Sequence, residues 1–174
     1  MAKHIKKTDK TEKPPKLFDL TSLQVYCNNV FGYSAEETLG YIQSMYEKKV
    51  LTYPRVDTCY LPEHMVGECG TILNQLRNAF EDIKELDTNN LRKRKTVFDS
   101  SKVTDHHAII PTGVPAQNLS DMERSVYDLV TRSFIAVFYP DCKFLTTTVL
   151  GKVEDVEFKV TGKQITDPGW KVIY

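Results

Sequence analysis

Tyr53 stands between Thr52 and Pro54, with Arg55 two residues on, in the run Leu-Thr-Tyr-Pro-Arg-Val-Asp-Thr-Cys-Tyr-Leu-Pro of residues 51–62. A phenol is a poor nucleophile near neutral pH because its reference pKa is about 10, so a reactive tyrosine needs nearby positive charge or a base. Arg55 could supply the charge: its planar guanidinium can hold two phosphate oxygens at once. Pro54 fixes one backbone dihedral between the two side chains. The pattern therefore suits attack on a phosphate. It also fits a half-buried tyrosine of a strand or turn beside a solvated arginine, and three residues alone do not choose between these. A second constellation is Asp105-His106-His107. A histidine can donate to a phosphate oxygen or relay a proton near neutral pH, although one structural histidine beside one exposed one fits the same residues.

These groups must be carried by a helical middle between two extended ends. Leu20, Leu23 and Cys27 predict a helix from Thr21 to about Asn29 that ends at Gly32. Ser34 with Glu37 forms a capping box that opens a second helix through about Lys48, with Leu39, Ile42, Met45 and Tyr46 as its apolar stripe. Two helices joined by a short turn fit a helix-turn-helix or simply two packed core helices. The segment from Val50 to Cys59 then brings out Tyr53 as strand or loop. Pro62 suits the start of a longer third helix through Met65, Cys69, Ile72, Leu73, Leu76, Phe80 and Ile83. Residues 87–104 read as an exposed basic connection, and His106-His107 lead into Ala-Ile-Ile-Pro, a short buried strand. Ser120 with Glu123 opens a last helix, with Val126, Leu129, Val130, Phe134 and Val137 inward, running to Pro140. From Phe144 to Val153 and Val156 to Ile165 the period becomes two, which predicts a β-hairpin turning near Glu154-Asp155.

Composition sets wide bounds. The 174 residues are 41% hydrophobic, enough for a domain with a real core. The 23 basic and 23 acidic residues cancel, so no global charge announces nucleic acid. Locally, residues 1–16 and 91–102 are each strongly basic. Arg92, Lys93, Arg94, Lys95 and Lys102 in the second run would be phosphate contacts if they line a groove, and a solvated surface if they do not. Cys27, Cys59, Cys69 and Cys142 lack the short paired spacing of zinc sites and read as free thiols of a reducing compartment. No apolar run approaches the roughly 20 residues of a membrane span, and the N-terminus lacks the hydrophobic core of a secretion signal. The expectation is a cytoplasmic protein.

Several motifs, in order, carry a resemblance. They are Leu17-Phe18-Asp19-Leu20-Thr21-Ser22-Leu23-Gln24, Phe31-Gly32-Tyr33-Ser34-Ala35 with Thr38-Leu39, Thr52-Tyr53-Pro54-Arg55, Tyr60-Leu61-Pro62, Asp105 to Thr112, and Asp167-Pro168-Gly169-Trp170. Over residues 13–174 the chain resembles the middle of the bacterial type IA DNA topoisomerases, the topoisomerase III branch in particular. It departs from the family at Val56, usually a small hydroxyl residue, and at Thr58, often Ser or Cys.

The resemblance implies an α+β fold in which a helical, tyrosine-bearing domain is inserted between strands of a β-rich arch. Residues 1–16 would be the departing strand and linker, 17–142 the catalytic-tyrosine domain, and 143–174 the returning hairpin. Because Lys171 to Tyr174 stop in mid-pattern, the chain is expected to be a segment of a larger protein. The resemblance implies that Tyr53 cleaves single-stranded DNA by transesterification, leaving a 5′-phosphotyrosine, and that strand passage and religation follow without ATP. Arg55 and His106 would act on the scissile phosphate; Asp57 would orient Arg55 or cap the following turn, and His107 would be the histidine's neighbour. Tyr60 could stack on a base or belong to the core. Mg²⁺ in this family is held by an acidic cluster in another domain, and no Asp-x-Asp-x-Glu arrangement occurs here. The chain alone is therefore expected to be inactive, with single-stranded DNA and the remaining domains as its partners. A non-catalytic helix-turn-helix module and a protein-interaction domain are the alternatives.

Overall fold

The computed structural model describes residues 2–174, with side chains from His4 onward. The fold is α+β, with four α-helices and one three-stranded antiparallel sheet among the described residues. The chain divides into a helical unit, residues 15–138 with Ile173, and a sheet unit made of residues up to Pro14 with 139–172 and Tyr174.

In the helical unit, α1 (Leu20–Phe31) is capped by Asp19, whose side chain accepts from the Ser22 N–H, and ends at Gly32 with φ of 74°. That left-handed position suits glycine and lets the Gly32 N–H reach back to Asn28. The capping boxes expected at Ser34/Glu37 and Ser120/Glu123 both form, opening α2 (Ala35–Glu47) and α4 (Asp121–Ala136). Leu23, Cys27, Ile42, Met45, Val126, Val130 and Phe134 are buried; each large apolar side chain so removed from water contributes roughly 1.5–3 kcal/mol. Burial pushes the Cys27 thiol up to about 11 and the Cys69 thiol up to about 12, so both pack as small apolar groups.

The third helix is shorter than its periodicity suggests. Pro62 precedes a 3₁₀ turn, Glu63–Met65, and α3 covers only Val66–Leu76. Phe80 is extended and Ile83 sits in a separate 3₁₀ turn, Glu81–Glu85, yet both are buried. The break lets the Phe80 ring meet Tyr127 of α4 at 6.2 Å, a packing that overrides the local helical spacing. Residues 87–104 also differ from a simple exposed connection: Val97 and Phe98 are buried, with Phe98 against Phe138.

Segment 108–112 is the hub of this unit. Ala108, Ile109 and Ile110 are fully buried, and buried backbone must find partners. The Ala108 N–H donates to Tyr60 O at 3.0 Å, Ile109 N–H to Phe18 O at 2.9 Å, and Thr112 N–H to Val50 O at 3.1 Å. The expected short strand does not form: the segment is buried and extended but pairs only through isolated bridges, Ile109 with Phe18 and Pro111 with Leu51, because each neighbour runs beside it for a single residue.

In the sheet unit, β1 (Ala2–Glu12) pairs with β2 (Cys142–Val153), which pairs with β3 (Val156–Asp167), all antiparallel. The hairpin turns at Glu154, whose φ is 56°, between the expected strands. The N-terminal basic run is thus a paired strand as far as Glu12, with Lys13 and Lys16 beyond it. Ile5, Val153, Val156, Phe158 and Val160 are exposed, and the Phe158 ring covers Gly151, where a Cβ would collide with it. The end of the chain is a 3₁₀ turn, Gly169–Ile173, rather than a continuing extended pattern. Trp170 causes the turn-in: its indole N–H donates to Glu12 O at 2.8 Å, its backbone N–H donates to Pro140 O at 3.0 Å, and Lys171 pairs with Glu12 at 2.7 Å.

Candidate active site

Tyr53 is held by what precedes it. The Thr52 N–H donates to Ile110 O at 3.0 Å, while Thr52 Oγ1 accepts the Ile110 N–H at 3.0 Å, so one residue makes both halves of a ladder pair with the hub. The Tyr53 ring then lies between two others. His106 stacks on its face with centroids 4.2 Å apart and planes 26° from parallel. Tyr46, at the end of α2, meets it edge-on at 5.4 Å. The phenol is half-buried, and its hydroxyl makes no hydrogen bond among the described residues.

Beyond Tyr53 the chain reverses sharply. The Val56 N–H donates to Pro54 O at 3.0 Å, a three-residue turn centred on Arg55 that throws the guanidinium into solvent. Val56 is buried, and its carbonyl accepts the Leu20 N–H at 3.0 Å, which ties the turn to the start of α1. Its apolar side chain thus has a packing role at the position where the resemblance leads one to expect a hydroxyl.

Arg55, Val56, Asp57, Thr104, Asp105 and His106 line an open cleft of roughly 470 Å³ with Asp19, Leu20 and Thr21 of the α1 N-terminus. Arg55 is the cation of this lining, beside the partial positive charge of the α1 N-terminus and opposed by the carboxylates of Asp19, Asp57 and Asp105. Asp19 is committed to the Ser22 N–H at 2.7 Å. Asp57 lines the cleft without an ion pair to Arg55 among the described residues, so an orienting contact is not part of this arrangement. His107 turns away to its own chain, with Nδ1 2.7 Å from Ala108 O, a contact that needs the ring proton on Nδ1. Among the described residues no three of His, Cys, Asp and Glu are grouped to hold a metal ion.

The structure brings Tyr53 and His106 together and puts Arg55 in the cleft that His106 lines. It spreads the basic run more widely. Arg92, Lys93 and Lys95 are exposed, but Arg94 is half-buried and donates from Nε to Val137 O at 3.0 Å, which gives it a structural task. Lys102 lies over the Tyr60 ring, 5.1 Å from its centroid. Two contributors escaped the sequence reading. Tyr46 falls on the spacing of a core stripe and shows no local sign of touching Tyr53. Thr58 is buried, accepts the Tyr60 N–H at 3.2 Å and donates to Lys102 O at 2.7 Å, a non-local clamp.

The sequence matches a family described as DNA topoisomerase over residues 2–174. It is 36% identical over 98% of its length to DNA topoisomerase 3 of Bacillus subtilis (strain 168), and 42% identical, again over 98%, to DNA topoisomerase 3 of Bacillus thuringiensis (strain Al Hakam). The chain spans about a quarter of the length of these relatives, 24% in each case. In fold it is similar to full-length topoisomerase I from Thermotoga maritima, with a TM-score of 0.69 at 22% identity, covering 98% of this chain and 28% of that one. Among the described residues no helix is long and apolar enough to cross a membrane.

Proposed function

Since the chain belongs to the type IA DNA topoisomerase family, we propose that it carries that activity's nucleophile, Tyr53, and part of the surface that holds single-stranded DNA. The observation that supports this reading best is the Tyr53 ring stacked on His106 beside the cleft that Arg55 enters. Tyr53 Oη attacks a phosphodiester; the new Tyr–O–P bond forms as the bond from phosphorus to the 3′ oxygen breaks. The phenol gives up its proton and the leaving 3′ oxygen gains one, producing a 5′-phosphotyrosine and a free 3′-hydroxyl. Another strand passes through the gap. The 3′-hydroxyl then attacks the phosphotyrosine, restoring the strand and the phenol, and because one ester has been exchanged for another no ATP is consumed.

Arg55 neutralises charge on the scissile phosphate, and His106 donates a hydrogen bond to it. The ring clamp of His106 and Tyr46 limits the phenol's rotation, so less freedom is lost when the hydroxyl meets phosphorus. The Mg²⁺ donors lie outside residues 2–174, so the chain alone does not relax supercoiled DNA.

The test is adduct capture in the full-length protein after a denaturant quench. A 5′-phosphotyrosine retains the 3′ portion of the strand, so an oligonucleotide labelled at its 3′ end should label the protein, whereas a 5′ label should leave as a shortened free strand. Tyr53→Phe should abolish the adduct while preserving fold and DNA binding. An adduct that persists in Tyr53→Phe would falsify the assignment.

A further inference from the structure

A cluster beside the proposed site remains without a task. Lys16 Nζ donates to the Tyr60 hydroxyl at 3.0 Å, and both Lys16 Nζ and Lys102 Nζ stand 5.1 Å from the Tyr60 ring centroid. All three residues belong to the helical unit. Both lysines are exposed, and among the described residues neither has a carboxylate within ion-pair distance. Two ammonium groups therefore converge on one phenol that cannot neutralise them both. The hydrogen bond from Lys16 is the largest effect, and with the charges of Lys102 and Lys16 it holds the Tyr60 hydroxyl below the usual phenol range against burial, which opposes them.

The convergence is built into the backbone. The buried Thr58 hydroxyl bonds to Tyr60 N–H and Lys102 C=O together, so one side chain fixes the spacing between the phenol and the second lysine. The 3₁₀ turn Ser100–Lys102 is capped by Asp99 and pinned by Ser100 Oγ, which accepts the Glu63 N–H at 2.9 Å. Tyr60 O accepts the Ala108 N–H, and Ala108 is only two residues from His106, at most about 7 Å of chain.

We propose that Lys16, Tyr60 and Lys102 form a second phosphate-holding subsite, which takes a phosphodiester of single-stranded DNA flanking the one that Tyr53 attacks. The proposal rests on the nucleophile reading above and adds a contact to it. Two point charges supply attraction. The Tyr60 hydroxyl, which accepts from Lys16, keeps its own proton to donate to a phosphate oxygen. Binding there fixes the strand on one side of the reactive phosphate, so the subsite positions DNA without touching the reacting atoms.

The experiment is anisotropy titration of a single-stranded oligonucleotide with the 174-residue chain across salt concentrations. The wild type is compared with Lys16→Ala/Lys102→Ala, Tyr60→Phe and Arg55→Ala. The subsite takes one phosphodiester, and each phosphate neutralised on a single strand contributes about 0.7 to the slope of log affinity against log salt, so the double lysine variant should lose roughly 0.7 from that slope. Its low-salt affinity should fall about tenfold, with a smaller loss for Tyr60→Phe. A set of oligonucleotides, each neutralised by methylphosphonate at one position, locates the contact: one flanking position should weaken wild-type binding and leave the double variant indifferent. If the lysine pair can be removed with slope and affinity unchanged while Arg55→Ala weakens binding, the subsite is wrong and the nucleophile reading stands. If the wild type binds no single strand even at low salt, both fall. Competition by inorganic phosphate as strong as by the oligonucleotide, phosphate for phosphate, would make this a free-anion site and overturn the proposal.

Discussion

The Tyr53 and His106 rings stack face to face at 4.2 Å, although they stand 53 positions apart in the sequence. The contact is created by the hub: Thr52 and Ile110 exchange backbone and side-chain hydrogen bonds, and each ring lies just beyond one end of that pairing. The histidine thus has two separable properties, a flat face and an N–H.

Replacing His106 separates them. His106→Ala should lower the cleavage rate by a barrier increase of about 1–3 kcal/mol, below the roughly 2–4 kcal/mol expected for Arg55→Ala, where a charged donor is lost. His106→Phe retains the face and lacks the N–H. Single-turnover adduct formation by the full-length protein should find His106→Phe nearly as slow as His106→Ala. Recovery to wild-type rates in His106→Phe would mean that stacking alone is the histidine's contribution.

Thr58→Val keeps the shape of the side chain and strands two part-buried backbone groups, the Tyr60 N–H and the Lys102 carbonyl. Losing such partners costs about 1–3 kcal/mol. Urea unfolding should show that loss for Thr58→Val and little change for Thr58→Ser, which keeps the hydroxyl. Equal midpoints for the two variants would contradict the clamp.

Glu123 gives the fold a pH dependence. Burial alone would raise its carboxyl pKa, but the hydrogen bonds from the Ser120 backbone, Ser44, Lys48 and the Ser120 side chain outweigh it and leave it below the ordinary value of 4.5. A folded-state value below the unfolded one means that the stabilisation is complete above the ordinary glutamate range and is lost as pH falls through the lowered value. Thermal melts of the wild type should therefore weaken on acidification through and below pH about 4.5. In Glu123→Gln, which can still close the capping box, that acid limb should shrink, with a loss of about 1–3 kcal/mol near neutral pH from the charged hydrogen bonds.

The basic run separates into two kinds of residue. Changing Arg92, Lys93 and Lys95 together to Ala should reduce the salt slope of single-stranded DNA binding by as much as about 2, at about 0.7 per contact, and leave the melting temperature unchanged. Arg94→Ala should lower the melting temperature, because Val137 O loses its donor. An unchanged slope in the triple variant would identify the run as ordinary solvated surface.

What could be read from sequence was local. The Ser34/Glu37 and Ser120/Glu123 boxes each close within four residues, and the hairpin announces itself by its period of two and by its turn at Glu154. Tyr53, Arg55 and His106 stand in legible motifs, but the stacking of Tyr53 on His106 depends on the pairing of segments 50–52 and 108–112, which no local pattern encodes. The same holds for the misread parts. Phe80 leaves the helical spacing to reach Tyr127, Val97 and Phe98 are core residues embedded among basic ones, and Trp170 turns the chain end toward Glu12 and Pro140. Thr58 has no signature at all, since its two partners include a carbonyl 44 residues away.

The hairpin has a practical consequence for anyone who concentrates this chain. β3 is an outer strand of the sheet, its backbone edge unpaired among the described residues, and Val156, Phe158 and Val160 beside it are open to water. Such an edge is a template for another copy of itself. Lys159 and Lys163, spaced along the same strand on the face opposite those apolar side chains, put positive charge beside the open edge and oppose edge-to-edge pairing of two copies. β3 is thus one of the two edges at which copies can associate, and Lys159→Ala/Lys163→Ala should precipitate sooner than wild type.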